Sequence, residues 1–486
     1  MLLSGGYATQ YKYVVLTNTT IGAFMAVLDS NIVLIALPTI SADLHASPFE
    51  AVWIIMGYIL VNASLLLTFG RLSDIFGRVR LYNLGFAIFT VGSALCSLAP
   101  TATSLVIFRL IQGSGGALLF SNAAALLTDV FPPTERGRAL GLNQVAGTFG
   151  SVLGLALGGI LAGSFLGWRS IFWINIPFGT FATLWAHFKL KEMSKPQRGE
   201  RLDPVGNVLF AAGLAVSLVG LMLGALLGWS PLYFGAMVAG VLCIAAYVFV
   251  ERKVKFPMMD LSLFRIRAFA AGMASNLLAS LARGGLSLVL VFYFQGVLLY
   301  SAFSAGLMLI PYSVAFVTFG PLSGYLSDRF GSRGFATAGL LTVSVALFWL
   351  GLFPFGNYNQ LVIPMIIAGV GGGMFVAPNV ASIMNATPAP RRGVASGMSS
   401  TLINAGFLLS LGIAFAVMAA SVPSPVLQEI FSGTAVAINP LVEGNFVSAL
   451  HGLFLLMAFV SLFAAVPAFS AKKPKLVYES VTQEAG

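Results

Sequence analysis

The sequence predicts an all-α polytopic membrane protein built from a duplicated helical bundle. Three observations carry that prediction. Of 486 residues, 58% are hydrophobic and only 9% charged, a balance no water-exposed surface of this size tolerates, so lipid is the solvent for most of the chain. The apolar residues fall into fourteen runs of about 20 residues, the length that crosses a bilayer core. Two charged turns 254 residues apart spell nearly the same thing: Gly70-Arg71-Leu72-Ser73-Asp74-Ile75-Phe76-Gly77-Arg78-Val79-Arg80 and Gly324-Tyr325-Leu326-Ser327-Asp328-Arg329-Phe330-Gly331-Ser332-Arg333.

The runs lie near residues 13–38, 51–70, 81–99, 103–127, 139–163, 170–188, 205–228, 231–250, 268–295, 303–325, 335–354, 360–385, 393–421 and 446–469. The charged turn follows run two and recurs after run ten. A plain six-plus-six repeat would place the second copy after run eight, so two additional spans are inserted between the bundles. The expected division is a first six-helix bundle over 1–190, a linker over 191–267 holding the extra spans, a second bundle over 268–470 and a tail over 471–486. The flanks of the inserted pair are the most charged stretches of the chain, and 421–445 is an external loop with Glu429 and Glu443 but no Lys or Arg. Residues 1–10 are short and polar, and the run from Tyr13 is too long for a leader core, so no cleaved signal peptide is expected.

The net charge of +10 would fit a nucleic-acid partner, but its distribution argues otherwise. Of 26 Lys and Arg, 23 fall at Lys12, in alternate loops or in the tail; the exceptions are Arg109, Arg169 and Arg283. That alternation is the positive-inside pattern and places both termini in the cytoplasm. Cys96 and Cys243 lie within apolar runs and read as small core residues. His45, His187 and His451 sit near span ends and receive no role.

Asp29 is the one carboxylate well inside an apolar run. A charge at mid-bilayer costs about 2.5–3.5 kcal/mol on insertion scales, so it should face a cavity or a partner. Burial favours the neutral acid, which suits a residue that carries a proton in competition with substrate. The plainer alternative is a fixed structural residue bonded to its neighbours. Arg109 is the second buried charge; a guanidinium stays protonated, so it tunes a carboxylate but releases no proton. Gln112 and the glycines beside it allow a polar lining and close helix approach. Arg283, flanked by Gly284 and Gly285, could bind a neutral or anionic substrate group, pair with Asp29, or rest on carbonyls. Asn31, Asn122, Gln295, Asn379 and Asn404 are scattered polar groups of a permissive apolar cavity. Gly150, Gly154, Gly158 and Gly159 allow a second backbone to pack tightly, with the bundle interface as the expected place. In the first turn Gly70 and Gly77 permit a sharp bend. Asp74 is placed to face a helix N-terminus, and Arg78 and Arg80 to pair with it.

Four segments resemble the fourteen-span drug:proton antiporter family of the major facilitator superfamily. They are Leu28-Asp29-Ser30-Asn31 with Ala36-Leu37-Pro38, the turn at 70–80, the run from Leu105 through Arg109 to Gly115, and Trp168-Arg169-Ser170-Ile171-Phe172-Trp173-Ile174-Asn175-Ile176-Pro177. The second turn, with Gly324, Asp328 and Arg333, extends the resemblance into the other half. The resemblance implies a major facilitator fold in the bacterial cytoplasmic membrane and proton coupling through Asp29 and Arg109. It also implies a cytoplasmic latch at the first turn that meets the start of span thirteen near 392–396. The family places proline after the glycine at the position of Gly154, where this chain has Leu155. No metal cluster, nucleophile–base set or phosphate loop appears, so no enzyme, cofactor or metal is expected. The function expected is export of lipophilic cationic or neutral compounds driven by the proton gradient. The partners are a small molecule, a proton and the bilayer, with no nucleic acid and the oligomeric state open. The alternatives are a dedicated exporter of an endogenous metabolite, siderophore or lipid, and a non-transporting membrane sensor.

Overall fold

The computed structural model describes residues 5–132, 135–193, 203–254, 257–354, 356–388, 391–432 and 440–470; side chains at 5–9, 136–138, 328 and 440–443 fall outside the description. The expected tail at 471–486 and most of the charged 189–203 flank therefore lie outside the described residues, as does the side chain of Glu443. The helices are α1 (Gly5–Asp43), α2 (Pro48–Phe76), α3 (Arg78–Ser97), α4 (Ala102–Val130), α5 (Arg136–Ala162), α6 (Ser170–Trp173), α7 (Asn175–Lys189), α8 (Pro204–Leu227) and α9 (Pro231–Glu251). They continue as α10 (Arg267–Phe292), α11 (Ala302–Phe330), α12 (Ser332–Leu352), α13 (Tyr358–Ala386), α14 (Arg392–Ser421), α15 (Ser424–Ser432) and α16 (Pro440–Ser470).

Thirteen helices among the described residues are long and apolar enough to cross a membrane. Over the sixth expected span the chain instead forms two shorter helices, α6 and α7. Pro177 has no N–H to offer the Trp173 carbonyl, and the chain is interrupted only at Ile174, which keeps helical angles (φ −58°, ψ −31°). Helix starts carry the chemistry their orphan N–H groups need. Ser47 and Glu50 form a reciprocal cap on α2 with Pro48 at its first turn, Thr101 and Ser104 do the same for α4, and Asn357 caps α13. The 421–445 loop differs from expectation by containing α15. This short helix buries Leu427, Ile430 and Phe431, and stacks Phe431 on Phe292 with ring centroids 3.9 Å apart.

Packing repeats between the halves. α1 lies on α5, and α2 and α3 on α4, with α3 also against α7; α10 lies on α14, and α11 and α12 on α13, with α12 also against α16. The turns repeat too. Gly77 (φ +108°) and Gly331 (φ +92°) occupy a backbone region that side chains disfavour. Their N–H groups donate to Ser73 and Ser327 carbonyls at 2.9 and 2.8 Å, and each serine hydroxyl donates back to Gly70 or Gly324 at 2.8 Å. α8 and α9 pack on each other, and α8 rests on α14 and α2. The halves meet through α5 against α11 and α2 against α14, a symmetry-related pair of contacts.

Candidate functional site

Gly150, Gly154 and Gly158 seat α1 on α5. A Cβ at each would stand 2.6–2.7 Å from the carbonyl oxygens of Phe24, Leu28 and Ile32, so only glycine allows this approach. This corrects the expected location: three of the four glycines pack within the first bundle, because α1 and α5 run side by side from Phe24 to Ile32. Gly159 alone reaches the other half, 2.5 Å from Phe303 Cα by the same measure. Next to Leu155, a Cβ on Gly306 would lie 2.5 Å from its carbonyl oxygen. α5 and α11 thus touch at their ends remote from the charged turns.

Held this way, α1 aims Asp29 into the first bundle, fully buried. Arg109 and Gln112 share a face of α4 at i, i+3 spacing. Arg109 Nη1 donates to Asp29 Oδ2 at 2.5 Å. Gln112 Nε2 donates to Asp29 Oδ1 at 2.8 Å, and Asn175 Nδ2 to the same oxygen at 2.7 Å. Arg109 is also satisfied elsewhere: Nε donates to the Ile54 carbonyl (3.1 Å), Nη1 to Gln112 Oε1 (2.6 Å), and the guanidinium lies 4.4 Å from the Tyr58 ring centroid. Gln112 Nε2 also donates to Ser93 Oγ (2.7 Å), and Cys96 Sγ approaches Gln112 Oε1 (3.7 Å). One charge pair thus gathers α1, α2, α3, α4 and α7. Sequence reasoning placed Asp29, Arg109 and Gln112 but did not single out Asn175, Ser93 or Tyr58. Asn175, two residues before the proline that interrupts its span, carried the one usable signal.

The polar candidates disperse. Asn31 Nδ2 donates to the Val27 carbonyl at 2.9 Å and lies toward Gly154. Asn122 is buried on α4 and bonds Leu118 and Ser121. Asn379 bonds the Gly272 carbonyl and Asn276, and Asn276 bonds Ser399, a network internal to the second bundle. Gln295 Nε2 donates to the Ile35 carbonyl at 3.1 Å, a strut between the halves. Asn404 is half-buried on α14. Arg283 does not meet Asp29: its guanidinium lies 5.4 Å from the Phe316 ring centroid, and its buried Nε finds no hydrogen-bond partner. Arg169, the remaining off-pattern arginine, pairs with Asp43 at 2.8 Å and donates to the Ala99 carbonyl, tying three helix ends together.

At the first turn, Arg78 pairs with Asp74 (2.8 Å) and with Asp129 of α4 (2.7 Å), and Arg80 is exposed. The helix start after Gly77 is met not by Asp74 but by Glu192, whose carboxylate accepts from the Val79 N–H at 3.0 Å. The bonds of Asp74 and Arg78 stay within the first bundle. α14 is met earlier along α2, where a Cβ on Gly397 would stand 2.6 Å from Leu67 Cδ2. The polar tie out of this corner is Arg71, which donates to the Pro257 carbonyl of the linker. At the second turn Gly324 lies toward Ala377, Arg333 stacks 4.0 Å from the Phe469 ring centroid, and the Asp328 side chain lies outside the described residues.

A duplicated bundle of long apolar helices, with one fully buried ion pair among the described residues and halves joined at paired helix contacts, has the architecture of a multi-pass membrane transporter. The Major Facilitator Superfamily model matches residues 19–250 and 272–484, and the chain belongs to that family. It is 32% identical over 410 residues to the riboflavin transporter RibZ of Clostridioides difficile, covering 83% of this chain and 87% of the relative. It is 32% identical to the multidrug resistance protein Stp of Mycobacterium tuberculosis (86% and 80% covered). It is 30% identical to the tetracenomycin C resistance and export protein of Streptomyces glaucescens (84% and 76%). The fold matches a solved D-xylose-proton symporter with TM-score 0.65 at 16% identity, over 96% of this chain and 99% of that one. The protein is a transporter of small molecules, not an enzyme.

Proposed function

We propose that the protein exports lipophilic cationic or neutral compounds from the cytoplasm in exchange for a proton carried by Asp29. The observation that carries this reading is the Asp29–Arg109 pair, buried and reached by two amide donors. Breaking such a pair by removing one charge leaves the other uncompensated, at about 3–5 kcal/mol. Protonating Asp29 does the same reversibly, and that energy is available to shift α1 against α4 and α7. α1 also accepts the Gln295 strut at Ile35, six residues beyond Asp29, so movement at the charge pair reaches the contact between the halves. The relatives named for multidrug resistance and for tetracenomycin C resistance and export support export as the direction.

Purified protein in liposomes with an imposed proton gradient tests the reading. Gradient-driven substrate movement is expected in the native protein and lost in Asp29→Asn, with downhill substrate exchange retained. Full gradient-driven transport by Asp29→Asn would sink the assignment. A second reading, a dedicated exporter of a metabolite with an anionic group, is favoured by Arg283, the interior cation with an unpartnered Nε. Loss of transport of anionic but not cationic compounds in Arg283→Gln would select it.

A further inference from the structure

The two seams between the halves are built differently. α5 and α11 run antiparallel and touch at the end remote from the charged turns. There a Cβ on Gly159 would stand 2.6 Å from the Ala302 carbonyl oxygen, and one on Gly306 2.5 Å from that of Leu155. Gly141 lies eighteen residues before Gly159, and Gly320 eighteen after Ala302. Eighteen residues are five full helical turns, so each glycine returns to the face that makes the contact, about 27 Å further along. In continued register Gly141 and Gly320 would meet, yet a Cβ on either finds nothing within 4 Å. The two helices therefore part toward the charged turns. Pro311 and Pro321, both inside α11, remove helical hydrogen bonds over this stretch.

α2 and α14 stay together instead. Toward the charged turns a Cβ on Gly397 would stand 2.6 Å from Leu67 Cδ2, and nearer the other end one on Gly412 would stand 3.8 Å from Met56 Cε. The inserted pair bears on this seam at both levels. The Cβ on Gly412 would also stand 2.4 Å from Leu218 Cδ2 of α8, so three helices converge at one point, with Leu214, Leu218 and Met222 of α8 buried. At the other level the segment between α9 and α10 crosses from one half to the other. Arg71 of α2 donates to the Pro257 carbonyl, and Thr68 Oγ1 lies 3.8 Å from Met258 Sδ. Two residues on, Asp260 pairs at 2.8 Å with Arg391, which directly precedes α14.

We infer that the inserted helices and the segment after them brace the α2–α14 seam as a hinge, so the halves swing apart at their charged-turn ends on one side only, between α5 and α11. The inference requires neither the cargo nor the proton proposed above. A rocking of about 15°, the size of known subunit rotations, moves helix ends about 27 Å from their contact by about 7 Å. Helices that stay packed slide by only about 1–2 Å. The two seams should therefore differ several-fold in how far their charged-turn ends travel.

Spin-label distances in the full-length protein in lipid test this, with Cys96→Ala and Cys243→Ala removing the native thiols. One label pair, Gly141→Cys with Tyr325→Cys, spans α5–α11; the other, Phe76→Cys with Gly393→Cys, spans α2–α14. All four positions are exposed. Gly159→Leu forces the far ends of α5 and α11 apart without touching Asp29, and Gly306→Leu does so independently if the first variant elutes abnormally. The α5–α11 distance should then shorten by about 7 Å, while the α2–α14 distance holds within about 2 Å. Adding Arg71→Ala and Leu218→Ala should let the α2–α14 pair move as well. Movement of both pairs with the brace intact overturns the hinge, as does an α5–α11 pair that stays put. An α2–α14 pair that stays fixed without Arg71 and Leu218 overturns the role given to the inserted helices.

Discussion

Asp29 and Arg109 were legible because a charge inside an apolar run has few explanations, and each is the other's explanation. Arg169 was legible only as an exception to the basic-loop pattern; its partner Asp43 lies at the end of a run, where a carboxylate draws no notice. Asn175 was passed over: an uncharged amide in a run has no cost that marks it, and its one signal is Pro177 two residues on. The bond from Asn175 to Asp29 is a hydrogen bond to a charged group, worth about 1.5–3 kcal/mol. Asn175→Ala should therefore lower thermal stability in detergent and slow gradient-driven transport about tenfold, the kinetic equivalent of 1.4 kcal/mol. Arg109→Lys keeps the charge but cannot reproduce the guanidinium's separate donors to Asp29, Gln112 and Ile54 or its seat on Tyr58. It should lose at least about as much activity as Asn175→Ala. Native rates in initial-uptake assays of either variant would reduce the network to scaffolding.

At the scale of elements, the long apolar helices could be read from length and hydropathy, thirteen of them long enough to cross a membrane among the described residues. Which helix each glycine meets could not, because a stripe states that something comes close without naming it. Gly154 and Gly141 lie on the same helix with opposite surroundings. A Cβ on Gly154 would meet the Leu28 carbonyl at 2.7 Å, whereas nothing lies within 4 Å of one on Gly141. Gly154→Val should separate α5 from α1, cost about 1–3 kcal/mol as overpacking does, and disturb Asp29 one residue away from the contact. Gly141→Ala should be neutral or stabilising by about 0.5–1 kcal/mol from helix propensity alone. Thermal melts of the two side by side check this; equal effects would mean the α1–α5 seam is loose. α15 escaped the sequence reading because nine residues are too short for a span and sat in a loop defined by its lack of basic residues.

For the whole molecule, duplication produced two turns of the same backbone shape with different partners. Aligning Gly77 with Gly331 puts Ser332 where the first copy has Arg78, and Arg333, one position on, leans on Phe469. Arg78 by contrast joins Asp74 to Asp129, so α2, α3 and α4 are pinned at one corner, and Arg71 ties that corner to the linker. A half-exposed ion pair contributes at most about 1 kcal/mol by itself, but that much conformational preference is roughly a fivefold shift between two states. Asp74→Asn frees Arg78 to Asp129 alone and relaxes the corner that the proposed export cycle would move. It should slow transport several-fold with little loss of thermal stability. Asp328→Asn, at a turn with no arginine in the corresponding place, should leave transport within about twofold of native. Parallel rate measurements on the two variants, reconstituted at equal density, decide the matter. If Asp328→Asn proves the more damaging, the working latch lies in the second half, and the Arg71 tie at the first turn serves only to anchor the linker.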